Sequence, residues 1–82
     1  MIDIVYFAWL RERIGLPRER IETDATTVGA LVEELRGREE RYALAFSDLS
    51  AIRVALDQEL SDFDAPIATV REIAFFPPMT GG

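Results

Sequence analysis

The chain opens and closes on the same pattern, and that pattern constrains its fold more than any other feature. From Ile2 to Ala8 the side chains alternate, with Ile2, Ile4 and Tyr6 on one face and Asp3, Val5 and Phe7 on the other. From Val70 to Phe76 they alternate again, with Ile73 and Phe75 opposed to Ala74 and Phe76. Period-two alternation is the mark of a strand. Two strands this apolar belong in the middle of a sheet, so the two ends of the chain are expected to pair with each other. The pairing has to do much of the work of folding. A chain of 82 residues buries only roughly 60% of its unfolded surface, and here no disulfide or metal adds to the core. The sequence contains neither cysteine nor histidine. The same absence excludes a zinc centre, a thiol nucleophile and an imidazole base.

Between the end strands the pattern changes period. Leu10 and Ile14 lie four apart around Arg11, Glu12 and Arg13, which predicts one or two helical turns stopped by Gly15 and Pro17. Arg18 to Thr23 reads as a short polar strand anchored by Ile21. Thr26 or Thr27 caps a helix whose Val28, Leu31, Val32 and Leu35 fall on one side, and Gly37 ends it. Glu39 to Phe46 is expected to form a second short helix. Ala51 to Asp57 alternates as a strand, Asp57-Gln58-Glu59 as a turn, and Leu60 to Phe63 as a further short strand. Asp64 to Pro66 is a loop, and Pro77-Pro78 ends the last strand because proline cannot continue a ladder. The order predicts an α+β domain: a mixed sheet of four to five strands packed on one main helix with short helices beside it. The connection through the helix requires at least one parallel pair.

Charge narrows the partners. The net charge is −6, which disfavours nucleic acid because phosphate binding needs a basic patch. A basic protein surface fits better. All nine cationic side chains are arginine and lysine is absent, which reads either as the mark of an arginine-biased genome or as a chain that gives an acyl-activated tail no lysine of its own to meet. No signal peptide is evident and no stretch approaches the ~20 apolar residues that span a bilayer. A cytoplasmic protein without a membrane partner is the expectation. Glu33-Glu34 and Glu39-Glu40 are adjacent on helices and point apart, so they read as solvated faces, and no metal site is expected.

The end of the chain, Pro77-Pro78-Met79-Thr80-Gly81-Gly82, carries the chemistry. Two prolines stiffen the exit from an anchored strand. Two terminal glycines, lacking Cβ atoms, can thread a narrow channel and leave the carboxylate of Gly82 open to attack. With no cysteine present, that carboxylate is where this chain can carry transferable sulfur, as a thiocarboxylate made from a mixed anhydride with AMP.

These residues resemble a known family. Ala74-Phe75-Phe76-Pro77-Pro78-Met79-Thr80-Gly81-Gly82 is similar to the ending of the small subunits of molybdopterin synthase, the MoaD-type sulfur carriers of the ubiquitin-like class. Tyr6 to Glu12 resembles the family's first strand and following turn, and Thr27 to Leu31 its helix start. The resemblance covers nearly the whole chain. It implies a β-grasp domain over residues 1–76 and a flexible tail over 77–82. It implies that a MoeB-type activating enzyme adenylates Gly82 with ATP and magnesium, neither of which this chain holds as a cofactor. A sulfurtransferase then supplies the sulfur. The carrier docks on the large, MoaE-type subunit of a heterotetrameric synthase and donates sulfur to cyclic pyranopterin monophosphate, with the catalytic residues on that large subunit. Phe7 and Phe76 are expected to form an apolar docking patch beside the tail, framed by Arg11 and Arg53. The chain departs from the family near Asp57, where the family usually has an Asn in a Val-Asn turn, and where Ala68 to Arg71 stands in place of an acidic, glycine-containing turn. Thiamine-type carriers are shorter and lack the Phe-Phe-Pro-Pro approach. Other readings are a sulfur carrier or protein modifier of another pathway, such as tRNA thiolation, and a binding module whose glycines are incidental.

Overall fold

The computed structural model describes residues 1–78. Five strands and three helices follow one another: β1 (Ile2–Tyr6), α1 (Ala8–Ile14), β2 (Arg18–Ile21), α2 (Val28–Arg36), α3 (Glu40–Ala45), β3 (Arg53–Leu56), β4 (Glu59–Ser61) and β5 (Glu72–Phe76), with a single 3-10 turn at Leu49–Ala51 before β3. The sheet runs in the order β2-β1-β5-β3-β4. The two end strands are neighbours at its centre and are parallel; the other pairs are antiparallel. This is the mixed sheet of a ubiquitin-like β-grasp domain.

The alternation sets which side of the sheet is buried. Val54, Phe75 and Tyr6 lie in register across β3, β5 and β1, and Ile73 and Ile4 form the next row. All five are at most 1% exposed. The apolar stripe of α2, Val28, Leu31, Val32 and Leu35, belongs to the same core cluster and is equally buried. The Phe75 ring stacks on Tyr6 and meets Phe46, from the end of α3, edge to face at 5.0 Å between centroids.

Local chemistry fixes the element ends. Of the two candidate caps, Thr27 is the one used: its hydroxyl accepts from the N–H of Ala30 at 3.1 Å. The other free N–H groups of that turn are taken by the loop before β5, Val28 by Ala65 O and Gly29 by Phe63 O at 2.8 Å. A Cβ on Gly29 would stand 3.2 Å from that Phe63 oxygen, so a side chain there would press on the carbonyl. Gly15 closes α1 in the left-handed region with φ 89°, its N–H donating to Arg11 O. Arg41 on α3 donates to Ile14 O at 2.7 Å and ties the end of α1 to α3.

Asp57 and Gln58 form the two-residue turn between β3 and β4, with φ of 49° and 72°, as the twist of a tight hairpin demands. The Asp57 carboxylate also accepts from the N–H groups of Arg71 and Glu72, both at 3.0 Å, and so pins the start of β5. Asp57→Ala is expected to cost about 2 kcal/mol in urea denaturation, from two lost acceptor contacts and a left-handed residue without a polar side chain. Asp57→Asn keeps the acceptor oxygen and should cost under about 1 kcal/mol. Equal losses for the two variants would remove this role.

One polar network crosses the core edge. Tyr6 on β1 and Tyr42 on α3 both donate to the same oxygen of Glu19, each at 2.7 Å. Burial, then the Glu19 carboxylate, pushes both phenols up, Tyr6 far above its ordinary range and Tyr42 from 10.0 to about 12. An unfolded tyrosine loses its proton near pH 10 while the folded chain retains it, so this contribution is complete below pH 10 and is lost as pH rises toward 12. The urea midpoint should therefore fall through that window, and Tyr42→Phe should flatten the fall; identical pH profiles would contradict the assignment.

Candidate functional site

Three rows of side chains cross the outer face of the sheet, the face turned away from α2. At the end where β1 and β5 begin lie Arg20, Asp3 and Glu72. Arg20 donates to the Asp3 carboxylate at 2.8 Å, and this hydrogen bond holds that carboxyl below its ordinary value. Arg18 approaches Glu72 at 3.7 Å. The middle row is Arg18, Val5, Ala74, Ala55 and Leu60, each opposite the next. It is apolar from Val5 to Leu60, and Leu60 is 73% exposed.

The third row stands where β5 ends. Phe76 is the last residue of β5 and sits opposite Arg53 on β3. On its other side the parallel register, Tyr6 opposite Phe75, carries on to Phe7, whose N–H donates to Phe75 O at 3.1 Å. Phe7 is 47% exposed and Phe76 half-buried. The Arg53 guanidinium donates to Ser50 O and Ile52 O at 3.3 Å each, which steadies it. Three of the four expected patch residues, Phe7, Phe76 and Arg53, are thus brought to one end of one face. Arg11 is exposed on α1, outside this strand register. Ala8, between Phe7 and the rest of α1, has φ 54°; that turn lifts the chain out of β1 at Phe7.

Pro77 and Pro78 continue from Phe76 and are half-buried. Lacking N–H groups, they end the ladder. They leave the sheet at its centre, next to the aromatic row, because β5 is flanked by β1 and β3. Met79, Thr80, Gly81 and Gly82, which carry the expected chemistry, lie outside the described residues.

Among the described residues no group of three or more acidic side chains is placed to hold a metal ion. An open groove of about 410 Å³ is lined by Leu49, Ile52, Leu60 and Phe63 together with the charged Arg53 and Asp62. No helix of the described residues is long and apolar enough to cross a membrane. Sequence reasoning passed over Ala55 and Leu60 as parts of the outer face. The signal was present: with Val54 in the core, Ala55 points outward, and a two-residue turn then sets Leu60 opposite it.

Comparison with known proteins supports a specific lineage. A family model described as the ThiS family matches residues 4–82. The molybdopterin synthase sulfur carrier subunit of Escherichia coli K12 is 39% identical over 82 residues, covering all of both chains. That of Haemophilus influenzae Rd is 37% identical over the same span, again with complete coverage of both. Crystal structures of SAMP1, small archaeal modifier protein 1, from Haloferax volcanii superpose with TM-scores of 0.77 and 0.74 at 28% and 26% identity. They cover 99% and 95% of this chain and 98% and 97% of the archaeal one.

Proposed function

This chain belongs to the ThiS family, and on that footing we propose that it is the sulfur carrier subunit of a molybdopterin synthase. The single observation that carries the reading is the similarity, over the full length of both chains, to two subunits of that name. The geometry is consistent with it. A carrier needs a rigid body, a reactive end that leaves that body cleanly, and a docking surface beside the exit. The body is the sheet with α2, the exit is Phe76-Pro77-Pro78 at the sheet's centre, and the surface is the row of Phe7, Phe76 and Arg53.

The proposed chemistry is confined to Gly82. Its carboxylate attacks the α-phosphorus of ATP on a MoeB-type activating enzyme that also holds magnesium, and pyrophosphate leaves. The outer sulfur of a persulfide on a sulfurtransferase displaces AMP from the acyl carbon, and a thiol then reduces the resulting acyl disulfide to the thiocarboxylate, itself ending as a disulfide. The tail from Pro77 through Met79, Thr80 and Gly81 then carries that sulfur into a MoaE-type large subunit, where cyclic pyranopterin monophosphate accepts it. This chain contributes the sulfur and the fit, and the large subunit contributes the acid–base groups.

Reconstitution tests the reading. Thiocarboxylated chain mixed with its cognate large subunit should convert cyclic pyranopterin monophosphate to molybdopterin, and the unmodified chain should not. No conversion by a cognate large subunit that is active with another carrier would sink the proposal. The name of the archaeal neighbour, a modifier protein, favours a second reading in which Gly82 forms amide bonds to other proteins; conjugates in place of molybdopterin would select it. The docking surface has its own test. Phe76→Ala should weaken binding to the large subunit by about 2 kcal/mol, roughly 30-fold. Because its ring is only half-buried, folding stability should fall by no more than about 1.5 kcal/mol. Unchanged affinity in titration calorimetry would move the interface elsewhere.

A further inference from the structure

We infer that this chain is an acyl donor that offers no side-chain amine or thiol as an acceptor, so that copies of it cannot be linked into branched chains through such groups. The inference rests on the reading of Gly82 as an activated carboxyl group, and it concerns what the activated group meets on the chain's own surface. In aminolysis an unprotonated amine bonds to the Gly82 carbonyl carbon, the bond from that carbon to the leaving group breaks, the leaving group departs with the electron pair, and the amine's extra proton passes to water. A surface lysine is the ordinary source of such an amine. Here each of the nine cationic side chains is an arginine, and a guanidinium stays protonated and is not a nucleophile. The replacement extends to exposed positions where packing makes no demand for a guanidinium: Arg36 and Arg38 at the end of α2 make only single contacts, with Glu33 at 3.3 Å and Glu34 at 3.8 Å.

The thiol class is closed as well, and no imidazole is present to activate the serine and threonine hydroxyls, because cysteine and histidine are both absent. The two tyrosine hydroxyls are buried and both donate to Glu19; burial beside a carboxylate keeps them protonated. The hydroxyls of Thr23 and Ser50 are bound to Glu34 and Asp48. One amine remains, the α-amino group of Met1. Because β1 and β5 are parallel, it lies at the opposite end of the sheet from Pro77 and Pro78. Linkage through it gives a linear fusion, never a branch.

The test installs the acyl donor chemically, so that it is independent of any activating enzyme. The full chain is prepared with a thioester at Gly82 and incubated at a pH approaching the ordinary lysine value of about 10.4, alone and with free lysine. Products are mapped by tandem mass spectrometry. Arg36→Lys and Arg38→Lys are run alongside. The expected result is lysyl amide with free lysine, and hydrolysis or Met1 linkage alone in the unaltered chain. The two variants should give copies joined from Gly82 to the introduced lysine. Any product of the unaltered chain with Gly82 on a side chain would overturn the inference. So would variants that form no more branched product than the unaltered chain, since the missing lysine would then protect nothing. Failure of adenylation by an activating enzyme would count against the proposed function and leave this result standing.

Discussion

Removing Gly82, or adding one residue after it, is expected to abolish sulfur donation while leaving the melting temperature within about 2–4 °C of the parent. The two halves of this expectation have separate causes. Under the proposed chemistry activity is lost because the group to be adenylated is the carboxylate of that glycine, presented without a Cβ on it or on Gly81 to block the approach. Stability is kept because, among the described residues, the buried core runs from Ile2 to Phe75. Activity would be read as molybdopterin formed in the reconstituted synthase, and stability from thermal unfolding by circular dichroism. An extended variant that works without being trimmed would refute the carrier chemistry. A large drop in melting temperature would mean that the tail belongs to the core.

Phe75→Ala should do the reverse. Phe75 is fully buried, hydrogen-bonded into the sheet between β1 and β3, and packed on Tyr6 and Phe46. Truncation to alanine leaves a cavity at the centre of a small core, and such changes cost about 3–5 kcal/mol. A domain of this size has about 4–12 kcal/mol in all, so the variant should be close to unfolding at physiological temperature. Sulfur donation should fall only as far as the folded population falls. Its neighbour Phe76, one step along the same strand, faces outward, and its loss should be felt in docking. Urea denaturation of the two variants separates these roles; a loss for Phe75→Ala below about 1 kcal/mol would mean that its ring is not part of the core.

Much of the fold was legible because the decisive pattern is local. The alternation in β1 and β5 fixed which residues face α2, and the two strands do pair at the centre of the sheet. The 3.6-residue stripe of α2 needed no tertiary context. The misreadings lie where long-range contacts override local pattern. Val70 was expected in the last strand, yet β5 begins at Glu72 because Asp57 captures the N–H groups of Arg71 and Glu72. Phe63 was expected to close a strand; instead its carbonyl caps the first turn of α2 through Gly29. Ala8 was expected to extend β1, but its positive φ turns the chain into α1 and leaves Phe7 exposed. Of the site, Phe7, Phe76 and Arg53 could be placed from strand phase and order. Leu60 was passed over because the turn was read as Asp57-Gln58-Glu59, whereas the two-residue turn Asp57-Gln58 is what sets Leu60 opposite Ala55.

The central claim is that Gly82 carries sulfur. The most direct test is the intact mass of the chain after incubation with a MoeB-type activating enzyme, ATP, magnesium and a sulfur source. A gain equal to the exchange of one oxygen for one sulfur, mapped to Gly82, is the expected result. An unchanged mass, with an enzyme that demonstrably charges another carrier of this family, would contradict it.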